Sequence, residues 1–123
     1  NDGQMYTEGR MTLKLKHSSS NYLIKLYALN EDNTRVPYDL TGPYDYKLVF
    51  PSINTNMIEV MPNKDSENYN LGIGSLMFYI SKDIAKSIMQ VPVSERYFSI
   101  TTHIPGNKQA ESCIYEGTVE WFI

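Results

Sequence analysis

Two histidines and a single cysteine are the residues of this chain best suited to nucleophilic or metal chemistry, and their spacing gives little support to either. His17 opens the polar turn HSSSN and His103 closes the strand-like run ERYFSITTHI, and both are expected to be solvated or to cap. No H-x-x-x-H or C-x-x-C pair occurs, so no zinc site is expected. Cys113 and His103 could in principle form a thiolate–imidazole pair. However, Cys113 starts an apolar strand and reads better as a small hydrophobe. A lone cysteine also excludes an internal disulfide and fits assembly in a reducing compartment.

The oxygen-rich stretches are equally spare. Asn63-Lys64-Asp65-Ser66-Glu67-Asn68 alternates oxygen donors in the manner of a calcium loop, but it lacks the loop glycine and a bidentate Glu at the required distance. It reads as a solvated loop. Leu71-Gly72-Ile73-Gly74-Ser75 contains G-x-G ahead of a strand, whereas a phosphate cradle opens a helix, so turn chemistry is expected. Glu116 and Glu120 share a strand face about 13 Å apart at ~3.3 Å per residue, too wide for a glycosidase pair. Exposed tyrosines such as Tyr6, Tyr38 or Tyr69 could stack on sugars, but are read first as covering sheet edges or facing a neighbour. Enzyme, cofactor and metal are all expected to be absent.

Eleven basic residues are spread thinly through a chain of net charge −3, so no cluster exists to neutralise a run of phosphates and nucleic acid is not expected as a partner. No apolar run approaches the ~18 residues of a membrane-spanning helix, and no membrane partner is expected. The 123 residues, 41% hydrophobic and 20% charged, suit one globular domain with its own core. Asn1 stands at the first position in place of Met, as expected of a processed chain or an excised domain.

The elements that would position these residues are nearly all strands. Residues 1–10, NDGQMYTEGR, read as a flexible leader or linker, and 11–123 as the domain. Period-2 alternation marks MTLKLK (11–16), NYLIKLYAL (21–29), YDYKLVF (44–50), MIEVMP (57–62), SLMFYI (75–80), ERYFSITTHI (95–104) and CIYEGTVEWFI (113–123). Val36 to Leu40 is expected as a short edge strand, because Pro37 would cost a central strand a ladder bond. PGNKQAES (105–112) is expected as a loop. One helix is expected over about 82–90, with Ser81 as N-cap, Asp83 in its first turn and an end before Pro92. The architecture expected is all-β, an immunoglobulin-like β-sandwich of about seven strands with this helix before the penultimate one. Its core is expected from Leu13, Leu15, Ile24, Leu26, Leu48, Phe50, Phe78, Ile80, Phe98, Ile100, Val119 and Trp121.

The order of short phrases adds a resemblance. YLIKLYAL, the acidic turn NEDNTR, then Val36-Pro37-Tyr38-Asp39-Leu40-Thr41-Gly42 and an aromatic strand resemble the N-terminal domains of phage baseplate upper proteins. The later SKDIAKSIM helix, RYFSI and Glu116-Gly117-Thr118-Val119 are similar to that family's ending. The likeness spans residues about 11 to 122, and other virion immunoglobulin-like domains share it. The Tyr44-Asp45-Tyr46 strand start and the PSINTN loop depart from the pattern.

The resemblance implies a structural adaptor without catalytic residues. It would sit in a bacteriophage virion assembled in the host cytoplasm and attach tail, baseplate or fibre parts through protein–protein contacts. In that reading Pro37, Asp39, Gly42 and Pro43 build a sandwich corner. Met5, Tyr6, Tyr44, Tyr46, Met57, Met61 and Tyr69 are the expected contact residues, since aromatic and Met side chains are enriched at interfaces. The partners would be virion proteins in a homo-oligomeric assembly. The alternative is a carbohydrate-binding or adhesin module, with a glycan as partner.

Overall fold

The computed structural model describes residues 11–123, apart from the side chains of residues 108–110. The expected leader, with Met5 and Tyr6, lies outside the described residues. The chain is mostly β, with one short helix before the penultimate strand. Its strands in order are β1 (Thr12–Leu15), β2 (Ser20–Lys25), β3 (Tyr27–Leu29), β4 (Arg35–Pro37), β5 (Asp45–Phe50), β6 (Ile58–Val60) and β7 (Ser75–Ile80). After helix α1 (Lys82–Ile88) come β8 (Tyr97–Ile104) and β9 (Asn107–Trp121).

Five strands form one sheet in the order β1-β9-β8-β5-β6, antiparallel throughout except that β1 runs parallel to β9. The remaining four form two antiparallel ribbons, β2 with β7 and β3 with β4. The alternation explains the core. Leu13, Leu15, Leu48, Phe50, Phe98, Ile100 and Val119 from the large sheet meet Ile24, Phe78 and Ile80 from β2 and β7 in a single cluster. Each contributes roughly 1.5–3 kcal/mol relative to staying exposed. These residues and Leu26 are buried as expected.

Trp121 departs from that expectation. It is only partly buried, packed against the edge of the core, and its outer surface is covered by His17, whose ring stacks at 4.1 Å between centroids and 13° between planes. His17 is thus an exposed turn residue with an aromatic partner rather than a merely solvated one.

The count of about seven strands is also corrected, because NYLIKLYAL divides. At Leu26 the chain changes partner: its N–H donates to Gly74 O at 2.9 Å, and its carbonyl accepts from Tyr38 N at 3.0 Å. Gly74, at φ +69°, makes this junction possible, since a Cβ there would lie 2.6 Å from both Leu26 O and Tyr38 O. Beyond it β3 pairs with β4 instead of β7. Residues 105–112 are not one loop. The chain turns at Pro105 and Gly106, and β9 already runs from Asn107, longer than the expected start at 113. Two register shifts interrupt the β8–β9 ladder, and the one between Ile100 and Thr101 leaves Ile114 without an opposite residue.

The helix forms for the expected reasons. Ser81 Oγ accepts from Ile84 N at 3.3 Å, and Asp83 lies in the first turn. It ends at Ile88, two residues short of the expected limit. Arg96 donates to the carbonyl of the C-cap residue Met89 at 3.0 Å and to Val91 O just beyond it at 3.3 Å. Ala85, Ile88 and Met89 close the core beneath it.

Candidate functional site

The phrase PYDLTGPYDY, residues 37–46, forms the corner where β4 leaves its ribbon and β5 enters the large sheet. Pro37 ends β4, opposite Tyr27, in a strand paired only to β3. Asp39 Oδ1 accepts from Thr41 N at 2.9 Å and from Thr41 Oγ1 at 2.6 Å. This side-chain turn is what an Asp two residues before Thr can build. The hydrogen bonds from Thr41 hold the Asp39 carboxyl below its ordinary pKa, so it is ionised at neutral pH.

Gly42 follows at φ +142°, a region closed to most side chains, and Pro43 fixes the next step. Leu40 is pinned from both sides: its N–H donates to Leu71 O at 2.8 Å, and its carbonyl accepts from the Tyr46 hydroxyl at 2.6 Å. Burial of the Tyr46 ring pushes its hydroxyl pKa up and keeps the proton on this latch.

Beside the corner lies a cleft of about 250 Å³. Tyr38, Tyr44 and Tyr46 supply its aromatic walls, Asp39 and Thr41 its polar rim, and Thr102 and Ile114 its side toward the large sheet. Thr102 Oγ1 is buried beside the Tyr46 hydroxyl, and its contact pulls the phenol pKa down against the larger upward push of burial. Tyr46 also divides this cleft from a second depression of about 150 Å³, lined by Asp45, Met61, Pro62, Lys64 and His103. There Lys64 Nζ stands 3.6 Å from Asp45 Oδ1, and the buried His103 Nδ1 has no partner among the described residues.

The expected contact residues separate into two groups. Tyr44, Met57 and Met61 are exposed by 45%, 53% and 59%, with Met57 and Met61 flanking the edge strand β6. Tyr46 belongs to the core at 5% exposure, so its part is to hold the corner and not to offer an outward surface. Tyr69 is half-buried against the same core. Thr102, Ile114 and Leu40 were not singled out from the sequence. Ile114 reaches the cleft through the register shift in β9, and nothing in CIYEG marks that shift, since the usual glycine signal falls at Gly117 instead.

The other groups with chemical potential are occupied structurally. Cys113 is exposed rather than packed as a hydrophobe, correcting the reading from its neighbours. Desolvation pushes its thiol pKa up, and Glu116 Oε2 at 3.9 Å acts in the same direction, opposite to what a nucleophile needs. In the Asn63 loop, Asn63 Oδ1 accepts from Asp65 N at 3.2 Å and Ser66 Oγ from Asn68 N at 3.1 Å, so these oxygens serve their own turns.

Leu71–Ile73 is a 3₁₀ turn whose cap is the Asn70 side chain, which accepts from Gly72 N. On the outer face of the large sheet, Lys47 is 4% exposed, with Nζ at 2.6 Å from Glu111 Oε2 and 2.8 Å from Glu59 Oε2. No protein-family model matches the chain, and no curated protein matches it.

Proposed function

We propose that the chain is a non-enzymatic structural module of a bacteriophage virion, an immunoglobulin-like adaptor in the tail, baseplate or fibre attachment. It acts through contacts with other virion proteins after assembly in the host cytoplasm. The observation that carries this reading is a rigid corner next to exposed apolar side chains. Tyr44, Ile53, Met57 and Met61 are exposed by 45%, 61%, 53% and 59% around β5 and the edge strand β6. Large apolar groups gathered outside the core mark contact surfaces, and Met and Tyr are typical of them.

The immunoglobulin-like assignment is supported by strand order. The order β9-β8-β5-β6 is what the G-F-C-C′ strands of a variable-type sandwich would show, and β2-β7 would stand for B-E. The structure departs from that plan in its second sheet, which holds β2 and β7 alone, with β3–β4 as a separate ribbon and β1 in the large sheet.

Amine-directed crosslinking of the intact particle tests the function. Lys64, with 59% of its side chain exposed, sits in the 51–70 segment and should link to a neighbouring protein. A reactive Lys64 that gives only links within its own chain overturns the adaptor reading.

A further inference from the structure

The cleft beside the corner has the chemistry of a sugar site, and we infer that it binds one pyranose ring of a neutral saccharide. Its aromatic walls come first. Tyr38 and Tyr44 both line it, and Tyr44 is 45% exposed on a rim stiffened by Pro43, with its ring packed beside Gly42, so ring surface is available without a large ordering cost.

The polar groups match what a sugar offers. Asp39 is an ionised, acceptor-only carboxylate, suited to the hydroxyl donors of a sugar. Thr41 Oγ1 stands on the same rim, donates to Asp39 Oδ1 at 2.6 Å and has lone pairs that can accept from a sugar hydroxyl. Size sets the limit at a single ring, because about 250 Å³ lies below the ~300–1,000 Å³ of clefts that engulf drug-sized ligands.

Charge sets the class. The wall carries the carboxylate of Asp39 and no basic side chain, which disfavours phosphate and acidic sugars. The rim is also preformed: Asp39, Thr41 and the Leu40–Tyr46 latch are already in their hydrogen-bonded positions.

The inference is independent of the virion reading, and its test leaves that reading untouched. Amide chemical shifts of the full chain are followed by NMR during titration with methyl α-D-glucopyranoside, methyl β-D-galactopyranoside and N-acetyl-D-glucosamine, with glycerol as the ringless control. At least one sugar should shift residues 38–46, 102 and 114 saturably, with a dissociation constant in the millimolar range, and glycerol should not.

Tyr44→Ala should weaken that binding about tenfold, the loss of one ring contact. Asp39→Asn should weaken it about fivefold, because the amide oxygen can keep the turn to Thr41 while the second carboxylate acceptor becomes a donor. Absence of any saturable shift, equal shifts with glycerol, or unchanged affinity in both variants overturns the inference. Should Tyr44→Ala fail to fold, Asp39→Asn decides alone.

Discussion

Gly117 lies in β9 opposite Phe98 of β8, with Met11, the residue just before β1, on its other side. A Cβ added there would overlap the Met11 carbonyl oxygen and stand 2.5 and 2.7 Å from two atoms of the Phe98 ring. Neither neighbour has room to give. Met11 O accepts the Thr118 N–H at 3.0 Å, and the Phe98 ring is fully buried. Gly117→Ala should therefore sit at the upper end of the ~1–3 kcal/mol that overpacking costs. Alanine's smaller unfolded-state entropy works the other way by about 0.4–1 kcal/mol, so a measured loss isolates the steric term.

Gly106 is the matched control. It turns the β8–β9 hairpin at φ +83° with nothing within 4 Å of an added Cβ, so its Ala variant carries backbone strain alone, about 1–2 kcal/mol. Urea unfolding of both variants separates the two effects. For Gly117→Ala a loss of ~3 kcal/mol lowers the thermal midpoint by roughly 10–15 °C in a chain of this size. Phe98→Leu in the Gly117→Ala background should recover part of it, giving a coupling of about 0.5–3 kcal/mol. If Gly117→Ala loses no more than Gly106→Ala, or shows no coupling to Phe98, the close packing of β1, β9 and β8 is wrong.

Other substitutions probe other links. Tyr46→Phe removes the hydroxyl that donates to Leu40 O and should cost about 1–3 kcal/mol in urea unfolding, because it leaves a buried carbonyl without its donor. Trp121→Ala should cost less than the ~3–5 kcal/mol of a fully buried tryptophan, since the ring is only partly covered; His17→Ala alone should account for about 0.5–1.5 kcal/mol.

Lys47 is held above the ordinary lysine pKa by its hydrogen bonds to Glu111 and Glu59. Its folded pKa exceeds the unfolded one, so its contribution is complete at neutral pH. That contribution is lost only as pH rises past the unfolded value of ~10.4 and through the folded one. Lys47→Met should flatten the alkaline limb of a stability–pH curve, and an unchanged limb would count against the ion-paired geometry.

Strand positions and the helix were legible because burial on one face imposes a period that the residues must obey. SLMFYI and SKDIAKSI show it most clearly, the first as β7 and the second as α1 beginning beside its Ser81 cap. What was not legible depends on neighbours far along the chain. The alternation of NYLIKLYAL continues without a break through Tyr22, Ile24, Leu26 and Ala28, all buried, while the backbone changes partner in the middle. The change is dictated by Gly74, 48 residues beyond Leu26 in sequence, and no local signal records it. Lys47 likewise sits among apolar neighbours on β5, and its burial depends on Glu59 and Glu111, which only the sheet brings together.

The candidate site shows the same division. Asp39–Thr41 has a twin in Asp32–Thr34, where Asp32 Oδ1 accepts from Thr34 N at 3.1 Å and from Thr34 Oγ1 at 2.6 Å. Both carboxyls are held below their ordinary pKa mainly by the hydrogen bond from the threonine side chain. Local chemistry is therefore the same in the two D-x-T turns, and it is legible in both. Yet one closes the exposed β3–β4 hairpin and the other borders a cleft. The difference lies in the residues just after Thr41. Gly42-Pro43 redirects the chain, and Tyr46 returns its hydroxyl to Leu40 from within the core, fixing the turn against the large sheet. A polar turn becomes a positioned rim only when a buried side chain holds it. At this corner that side chain is Tyr46, which sequence reasoning had placed on the outside.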